Sequence, residues 1–555
     1  MVVGWNAFRT MAAAGAVLAA AAFFPASASQ GLPKLDQQID LRPAQWGKSG
    51  AGQYLAGMQA QRLRDPAAAA RYLESALGHD PNNLRLVRHV FYLMVSEGLF
   101  ADASQHARML LRDDPGSFVP VMTLAVTAMQ AGDYAGALDQ LGELDGGGHN
   151  GLMRALGQAW AAVGAGDLAA ARVALQFPLS APGWDGIRPI HEALIEDVGQ
   201  GEPAPAYAAL SAQPGGFPAR LQALIDNFEA RQADPSVTPI VTDASQGLAL
   251  AFGTIASALV RANQERTAMI YTRFGLALSP EDDSLLLLLA DALQSGDRFA
   301  DAAVAYGDVP RSSEFYYAAR IAKARNLAWD ERLDEGIALL EGLSVEFADK
   351  AEAPMQLGDL LRRDQRYEDA AAAYDSAFER IELAGGQPDW QLYYTRGIAR
   401  ERIGAWPDAE ADFKSALAIE PEQPLVLNYL GYSWIDRGEN LEEGTAMVRR
   451  AAELRPDDGF IADSVGWAAY RTGNLEEAVR ELERAILIEP LDPTINEHLG
   501  DIYWLVGRKL EARYQWDRAL SFDPEEQRIP GLKERLACTD EVCAPLEADG
   551  APVAE

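Results

Sequence analysis

The sequence has few cysteines, few histidines and too few basic residues to balance its acids. Of 555 residues, two are cysteine and six are histidine, and 48 Lys and Arg stand against 81 Asp and Glu, a formal net charge of −33. Two cysteines alone do not make a structural zinc site. The acidic balance argues against nucleic acid and anionic lipid as partners, because both attract basic surfaces. No metal or small-molecule cofactor is indicated.

Long apolar runs are also absent after the first 28 residues, which have the features of a signal peptide. Arg9 is their only charged residue, an apolar run extends from Met11 to Phe24, and an A-S-A cleavage site ends at Ala28. The run is short for a membrane span, which takes about 20 residues. We expect cleavage after Ala28 and export to the bacterial periplasm. An uncleaved signal that anchors the chain in the inner membrane is the alternative.

The two cysteines, Cys538 and Cys543, lie five residues apart near the end of the sequence. Because the periplasm is oxidising, we expect them to form a small disulfide. Two free thiols are the alternative. No cysteine lies near the expected cleavage site, so the chain is not expected to be a lipoprotein.

Motifs of the common catalytic sites are incomplete. The segment HEALIED at His191 lacks the second histidine of a zinc protease, and Arg42 stands where the segment WGKSG would need the first glycine of a P-loop. The segment GYSWI at Gly431 lacks the closing glycine of a nucleophile elbow. Acid pairs such as Glu476-Glu477 are expected to start helices, where they favour the positive end of the helix dipole. We therefore expect a protein that is not an enzyme.

A repeat of about 34 residues runs through the second half of the chain. Its first helical segment carries a glycine, and an alanine follows twelve residues later in most copies, with another alanine seven residues after that. Four copies end on a proline, which cannot continue a helix. The glycines are Gly358, Gly397, Gly431, Gly466 and Gly500, the alanines are Ala370, Ala377, Ala409, Ala416, Ala478, Ala485, Ala512 and Ala519, and the prolines are Pro421, Pro456, Pro490 and Pro524.

Helix packing explains this pattern. Two antiparallel helices have to approach closely at their crossing, and small residues such as Gly466 and Ala478 permit that approach. Larger residues such as Val465, Leu475 and Leu482 fill the space around the crossing. Each pair leaves an apolar side that the next pair covers, so stability is shared along the stack.

The pattern closely resembles the tetratricopeptide repeat. The resemblance implies an all-α fold, a right-handed superhelical solenoid of antiparallel helix pairs, and it covers most of residues 50–526. Twelve copies are recognisable, of which the five that start near 351, 390, 424, 459 and 493 are the clearest. The predicted organisation is a signal peptide (1–28), an N-terminal segment (29–49), a first repeat block (50–176), an irregular, partly helical insert (177–246), a second, divergent block (247–350), a third, strong block (351–526) and an acidic tail (527–555).

In the family that this chain resembles, the first helix of each pair lines a concave groove. The groove positions carry aromatic side chains, which offer contact area, and acids or an amide, which bind peptide groups or basic groups. We expect Trp467, which directly follows Gly466, to point away from the helix–helix contact, and His498 to lie on the surface or in the groove. The alternative is that some of the aromatic residues belong to the core. The candidate groove residues are Tyr394, Asn428, Tyr432, Asp463, Trp467, Tyr470, Glu497, Asp501 and Trp504, with Gln391, Ile398, Glu401 and Asp436 at further groove positions.

The run from Leu427 to Leu520 is similar to the carboxy-terminal block of bacterial envelope TPR adaptors, some of which partner a carboxy-terminal processing protease and present cell-wall hydrolases to it. The leading hypothesis is therefore a periplasmic adaptor that binds proteins or extended peptides. A scaffold in a polysaccharide-export or secretion assembly is the first alternative. An enzyme with its site in the 177–246 insert is the second.

Overall fold

The computed structural model describes residues 49–63, 65–144, 147–176, 187–211 and 219–537. Within these ranges all regular elements are α-helices, 28 in number. Those before residue 350 are α1 (Gly50–Arg62), α2 (Pro66–Leu77), α3 (Leu84–Ser96), α4 (Phe100–Leu110), α5 (Phe118–Gln130), α6 (Tyr134–Gly142), α7 (Gly148–Gly164), α8 (Leu168–Ala174), α9 (Ile187–Val198), α10 (Pro203–Ser211), α11 (Ala219–Ala233), α12 (Ala244–Arg261), α13 (Glu265–Leu278), α14 (Asp283–Ser295), α15 (Phe299–Asp308), α16 (Tyr316–Trp329) and α17 (Leu333–Glu346). Those after it are α18 (Glu352–Arg363), α19 (Tyr367–Leu383), α20 (Trp390–Arg402), α21 (Trp406–Ile419), α22 (Pro424–Arg437), α23 (Leu441–Leu454), α24 (Gly459–Arg471), α25 (Leu475–Ile488), α26 (Pro493–Leu505), α27 (Lys509–Ser521) and α28 (Ile529–Ala537).

The predicted all-α fold built from packed helix pairs is confirmed. Within each of the two compact units most helices that follow one another in the chain pack together, and in residues 352–521 each helix pair also contacts the next pair. The first helices of the last five pairs, α18, α20, α22, α24 and α26, begin within one residue of the predicted repeat starts. No helix in the described ranges is both long enough and apolar enough to cross a membrane.

Short polar signals set the helix boundaries. The first turn of α25 follows Asn474, whose side chain accepts a hydrogen bond from the backbone N–H of Glu477. This cap satisfies one of the N–H groups that a helix start leaves free. Glu476 and Glu477 lie in that same first turn, as predicted. The turn before it contains Gly473 at φ 82°, a left-handed conformation that favours glycine.

A bulky residue of the second helix covers the glycine of the first helix in four of the five strong pairs. A Cβ atom placed on Gly466 would lie 2.7 Å from Cγ of Leu482, and one on Gly397 would lie 2.7 Å from Cε1 of Phe413. Gly431 faces backbone instead, since its Cβ would lie 2.8 Å from the carbonyl oxygen of Gly444. The predicted close approach of the two helices is therefore present.

The chain divides into two compact units between Gly336 and Ile337, within α17. In the first unit, α1–α8 form four consecutive pairs, and α12 and α13 pack on the first helices α3, α5 and α7. Arg273 of α13 donates from Nε to the carbonyl oxygen of Ser96 at 2.8 Å, and Gln130 donates to the carbonyl oxygen of Ala277 at 2.7 Å. Helices of the same unit therefore cover these first helices.

The second unit contains α18–α28, and its core lies between neighbouring pairs. One apolar cluster joins α20, α21 and α22 through Tyr394, Phe413 and Trp434. Another joins α26, α27 and α28 through Leu499, Trp516 and Leu532. Each helix pair buries its free apolar side against the next, which is the packing expected of a repeat array.

Two segments outside the predicted repeat blocks contain further helices. The segment assigned to an acidic tail contains α28, because Leu532 and Leu536, four residues apart, form an apolar stripe that packs on the last pair. The segment assigned to an irregular insert contains the helices α9, α10 and α11. The expected signal peptide, Cys538 and Cys543 lie outside the described residues.

The crossing of α22 and α23 tests the role of the small residues. Gly431→Ala would press a methyl group against the backbone of Gly444, which cannot turn aside as a side chain can. We expect this substitution to lower the free energy of unfolding by about 1–3 kcal/mol. Gly342→Ala on α17 is the matched control, because no atom lies within 4 Å of its Cβ position. The control should stabilise the chain by about 0.5–1 kcal/mol, since glycine weakens a helix. Equal urea midpoints for the two variants would contradict the proposed close contact.

Candidate functional site

The first helices of the strong pairs, α18, α20, α22, α24 and α26, are called the inner helices below. Three pairs of residues occupy the same positions on the inner helices α22, α24 and α26. Within each pair the residues are four apart, so they lie one turn apart on the same side of the helix. The inner helices of neighbouring repeats contact each other, which brings the pairs side by side. We call this surface the inner face. Its pairs are Asn428 and Tyr432, Asp463 and Trp467, and Glu497 and Asp501.

His498 joins two of the inner helices. Its Nδ1 atom lies 2.9 and 3.0 Å from the two carboxylate oxygens of Asp463, and its ring stacks on Trp467 with centroids 4.3 Å apart. The expectation of a surface or groove histidine is wrong, because the side chain is buried between α24 and α26. Burial lowers the pKa of His498, but the charge of Asp463 and the hydrogen bond to it outweigh burial, so the pKa is raised.

Two arginines from the end of the chain bind the acids of α26. Arg528 Nη1 lies 3.0 Å from Glu497, and Arg535 Nη1 lies 2.7 Å from the same carboxylate. Arg535 Nε also lies 3.2 Å from Asp501. These acids were predicted to meet basic groups of a partner, and they already meet basic groups of this chain. Neither arginine was predicted from the sequence, although Arg535 follows Asp501 by one repeat length.

Asp501 has a second, structural contact. The indole N–H of Trp516 donates to Asp501 at 2.9 Å, across the pair α26 and α27. The hydroxyl of Tyr374 donates to Asp359 at 2.7 Å in the same way, fifteen residues apart in both cases. Burial raises the pKa of Asp501 to about 6, while Arg535 acts to lower it. Asp501 therefore holds its helix pair together as well as facing the inner side.

The predicted groove aromatics separate into buried and half-buried residues. Tyr394 packs on Phe413 and Tyr429, and Trp504 packs on Trp516, so both belong to the core. Trp467 is also buried, with its ring stacked on His498 of the next inner helix. Tyr432, Tyr470 and Asn428 keep part of their surface accessible.

Two buried polar atoms of the inner face have no hydrogen-bond partner among the described residues. They are the side-chain oxygen of Asn428 and the indole nitrogen of Trp467. The first accepts a hydrogen bond and the second donates one. Buried polar groups are almost always paired in folded proteins, so an unpaired acceptor and an unpaired donor on contacting helices require an explanation.

The segment from Phe522 to Ala537, which includes α28, is called the C-terminal segment below. Before α28, Glu525 accepts a hydrogen bond from Arg402 at 3.1 Å, at the end of the inner helix α20. Within α28, Leu532 is fully buried, which stabilises the contact by about 1.5–3 kcal/mol. The C-terminal segment therefore touches inner helices that are far apart in sequence.

The histidine of the HEALIED segment is part of the core of the first unit. His191 Nδ1 accepts a hydrogen bond from the indole N–H of Trp160 at 3.0 Å. Burial lowers the pKa of His191 to about 4, so the ring is neutral at ordinary pH. Within the part of the chain that the structure describes, no group of three or more His, Cys, Asp or Glu side chains could hold a metal ion.

Comparison with known proteins gives a match in the region of the inner face. Residues 466–526 match the family model described as tetratricopeptide repeat. A TPR repeat-containing protein of Pseudomonas aeruginosa is 38% identical over 85 residues, 15% of this chain and 14% of that protein. The protein O-mannosyl-transferase Tmtc1 of Drosophila melanogaster is 28% identical over 102 residues, 18% of this chain and 12% of that protein. The matched part is a small fraction of both relatives.

Two solved structures cover most of the chain at low similarity. The Cut9–Hcn1 heterotetramer of the APC/C is 15% identical with a TM-score of 0.39, covering 88% of this chain and 96% of that chain. Yeast Tom70 is 15% identical with a TM-score of 0.33, covering 87% of this chain and 94% of that chain.

The buried pair of His498 and Asp463 predicts a pH dependence. Because the folded-state pKa of His498 is raised, its stabilising contribution is fully present below pH 6.5 and is lost as pH rises through the folded pKa. We expect the thermal midpoint of the wild type to fall as the pH rises above 6.5, and His498→Gln to remove this part of the fall. His89→Gln is the control, since burial lowers the pKa of His89 and it does not change charge above pH 6.5. An unchanged slope in His498→Gln would contradict the assignment.

Proposed function

We propose that this tetratricopeptide-repeat protein is a non-catalytic adaptor that binds extended segments of partner proteins on the inner face of its last repeats. The observation that carries the proposal is the set of part-exposed side chains Asn428, Tyr432 and Tyr470 on two contacting inner helices. The side-chain amide of Asn428 offers one donor and one acceptor, and a peptide group offers the complementary acceptor and donor. Repeat arrays of this kind use their concave surfaces for binding.

The aromatic side chains of the same face suit a peptide. Tyr432 and Tyr470 are half-buried, and large aromatic rings of this kind give contact area at a low cost in conformational entropy. Tyr470 packs on the buried ring of Trp467, with the two ring centroids 5.0 Å apart. The partner is therefore a protein segment, and its backbone provides most of the polar recognition.

The proposed location is the periplasm, and the proposed partners are a processing protease and cell-wall hydrolases. The signal-like first 28 residues support a periplasmic protein. The similarity of the strong repeats to envelope TPR adaptors supports a processing protease and cell-wall hydrolases as partners. A scaffold in a polysaccharide-export or secretion assembly is the competing function, and it predicts different captured proteins.

Affinity capture from envelope extract tests the inner face. Asn428→Ala with Tyr470→Ala removes the acceptor and one aromatic contact, and we expect at least about tenfold weaker capture of the partner. Substitution of Trp467 or Trp504 is unsuitable because both are buried. The matched control is Leu510→Ala with Tyr514→Ala on α27, where the side chains are 82% and 61% exposed and lie away from the inner face.

The identity of the captured proteins decides between the functions. A processing protease or cell-wall hydrolase that is retained by the wild type and the control, and lost with the inner-face variant, supports the adaptor. Export or secretion components retained in the same manner favour the scaffold. Equal capture by all three proteins would mean that the inner face is not the binding surface.

A further inference from the structure

The C-terminal segment is the most weakly attached element on the inner face. Ten of the thirteen residues of α26 are buried, whereas α28 buries Leu532 alone of its nine residues. The other main contacts of α28 and the residue before it are the ion pairs of Arg528 and Arg535. Elements with few buried apolar contacts open most easily in the native state.

The two sides of these ion pairs differ in burial. The carboxylate of Glu497 is 8% exposed, and that of Asp501 is 3% exposed. The side chain of Arg528 is 34% exposed and that of Arg535 is 21% exposed. The acids therefore belong to the packed inner helix α26, and the arginines belong to the C-terminal segment that lies over it.

The spacing of the residues of the C-terminal segment that contact the inner face defines the kind of helix that this surface binds. Arg528, Leu532 and Arg535 are separated by four and three residues, so a helix presents them on one side. The two charges meet Glu497 and Asp501, and Leu532 packs with Trp504 and Trp516 in one apolar cluster. This is the arrangement of an amphipathic helix in a groove.

We propose that Glu497, Asp501 and the apolar cluster around Leu532 form a second binding site for an amphipathic helix of a partner that carries two arginines. In the free protein the chain's own α28 occupies the site, and the partner helix displaces it. The proposal rests on the proposed adaptor function, because it names the chemistry of a partner on the same inner face.

Electrostatics explains why the site stays closed until such a partner arrives. Removal of α28 alone would break the buried ion pairs of Glu497 and Asp501, and removing one partner of a buried ion pair is strongly unfavourable. A partner helix with arginines at the same spacing replaces one set of ion pairs by another. A neutral or acidic helix cannot make this exchange, so it is not selected.

Hydrogen exchange of the full chain tests the displacement directly. The probe is an isotope-labelled synthetic peptide with the sequence of residues 525–537, and the control peptide has glutamine in place of both arginines. Because a tethered helix has an effective concentration in the millimolar range, the peptide is added at several millimolar. When the probe is present, we expect the amides of α28 to exchange hydrogen at least about tenfold faster. The control peptide should leave exchange in α28 unchanged, and neither peptide should change exchange in α26.

A second measurement uses variants of the chain. The double substitution Arg528→Gln and Arg535→Gln loosens α28, so we expect this variant of the chain to bind the probe peptide. When Glu497→Gln and Asp501→Asn are added to it, we expect at least about tenfold weaker binding of the probe. The exchange experiment on the wild type decides the question if these variants do not fold. Exchange in α28 that is as slow as in α26 and does not respond to the probe would overturn the proposal and identify α28 as a permanent cap.

Capture by the arginine variant and exchange in α28 together separate displacement of α28 from the adaptor function. If the wild type captures protease or hydrolase partners and the arginine variant captures no more of them, α28 does not compete and the displacement is overturned. If the probe accelerates exchange in α28 while neither partner class is captured, the displacement stands and the adaptor function fails.

Discussion

The close contact between a glycine on one helix and a bulky residue sixteen positions later is the constraint on which the second unit depends. Leu482 lies against Gly466, and Trp516 lies against Gly500. Any Cβ atom at these glycines would collide with the opposite side chain, so only small residues allow the two helices to pack this closely. Repetition of the same contact gives every pair the same register, and this register places equivalent residues side by side on the inner face.

That register also brings charges together. Asp463 on α24 and Glu497 on α26 occupy equivalent positions, and both carboxylates are buried. A buried charge needs a partner of opposite sign, which here comes from the next element along the array. His498 of the next inner helix pairs with Asp463, and Arg528 and Arg535 pair with the acids of the last inner helix. The C-terminal segment therefore provides the last pair with the positive partners that an earlier pair receives from the following repeat.

The repeat period and the starts of the strong repeats were accessible from the sequence because they depend on contacts between residues close in the chain. Gly397 and Phe413 belong to one pair, and their spacing recurs in four of the five strong copies. The burial of Trp467 and His498 was not accessible, since a groove position on an isolated pair becomes covered only when the neighbouring inner helix packs against it. The role of Arg528 and Arg535 was missed for a related reason: one short apolar stripe in a polar segment does not reveal that the segment folds back.

The sequence alone determined the all-helical repeat, its period and the small residues at the crossings, because the relevant forces act within about sixteen residues. The tertiary structure decided which inner-face residues are covered, which remain half-buried and which charges are paired. Those outcomes depend on contacts such as Arg535 with Glu497, 38 residues apart, and Arg402 with Glu525, 123 residues apart. Separation of this length leaves no periodic signal in the chain, so only the packed helices define the inner face and its occupant.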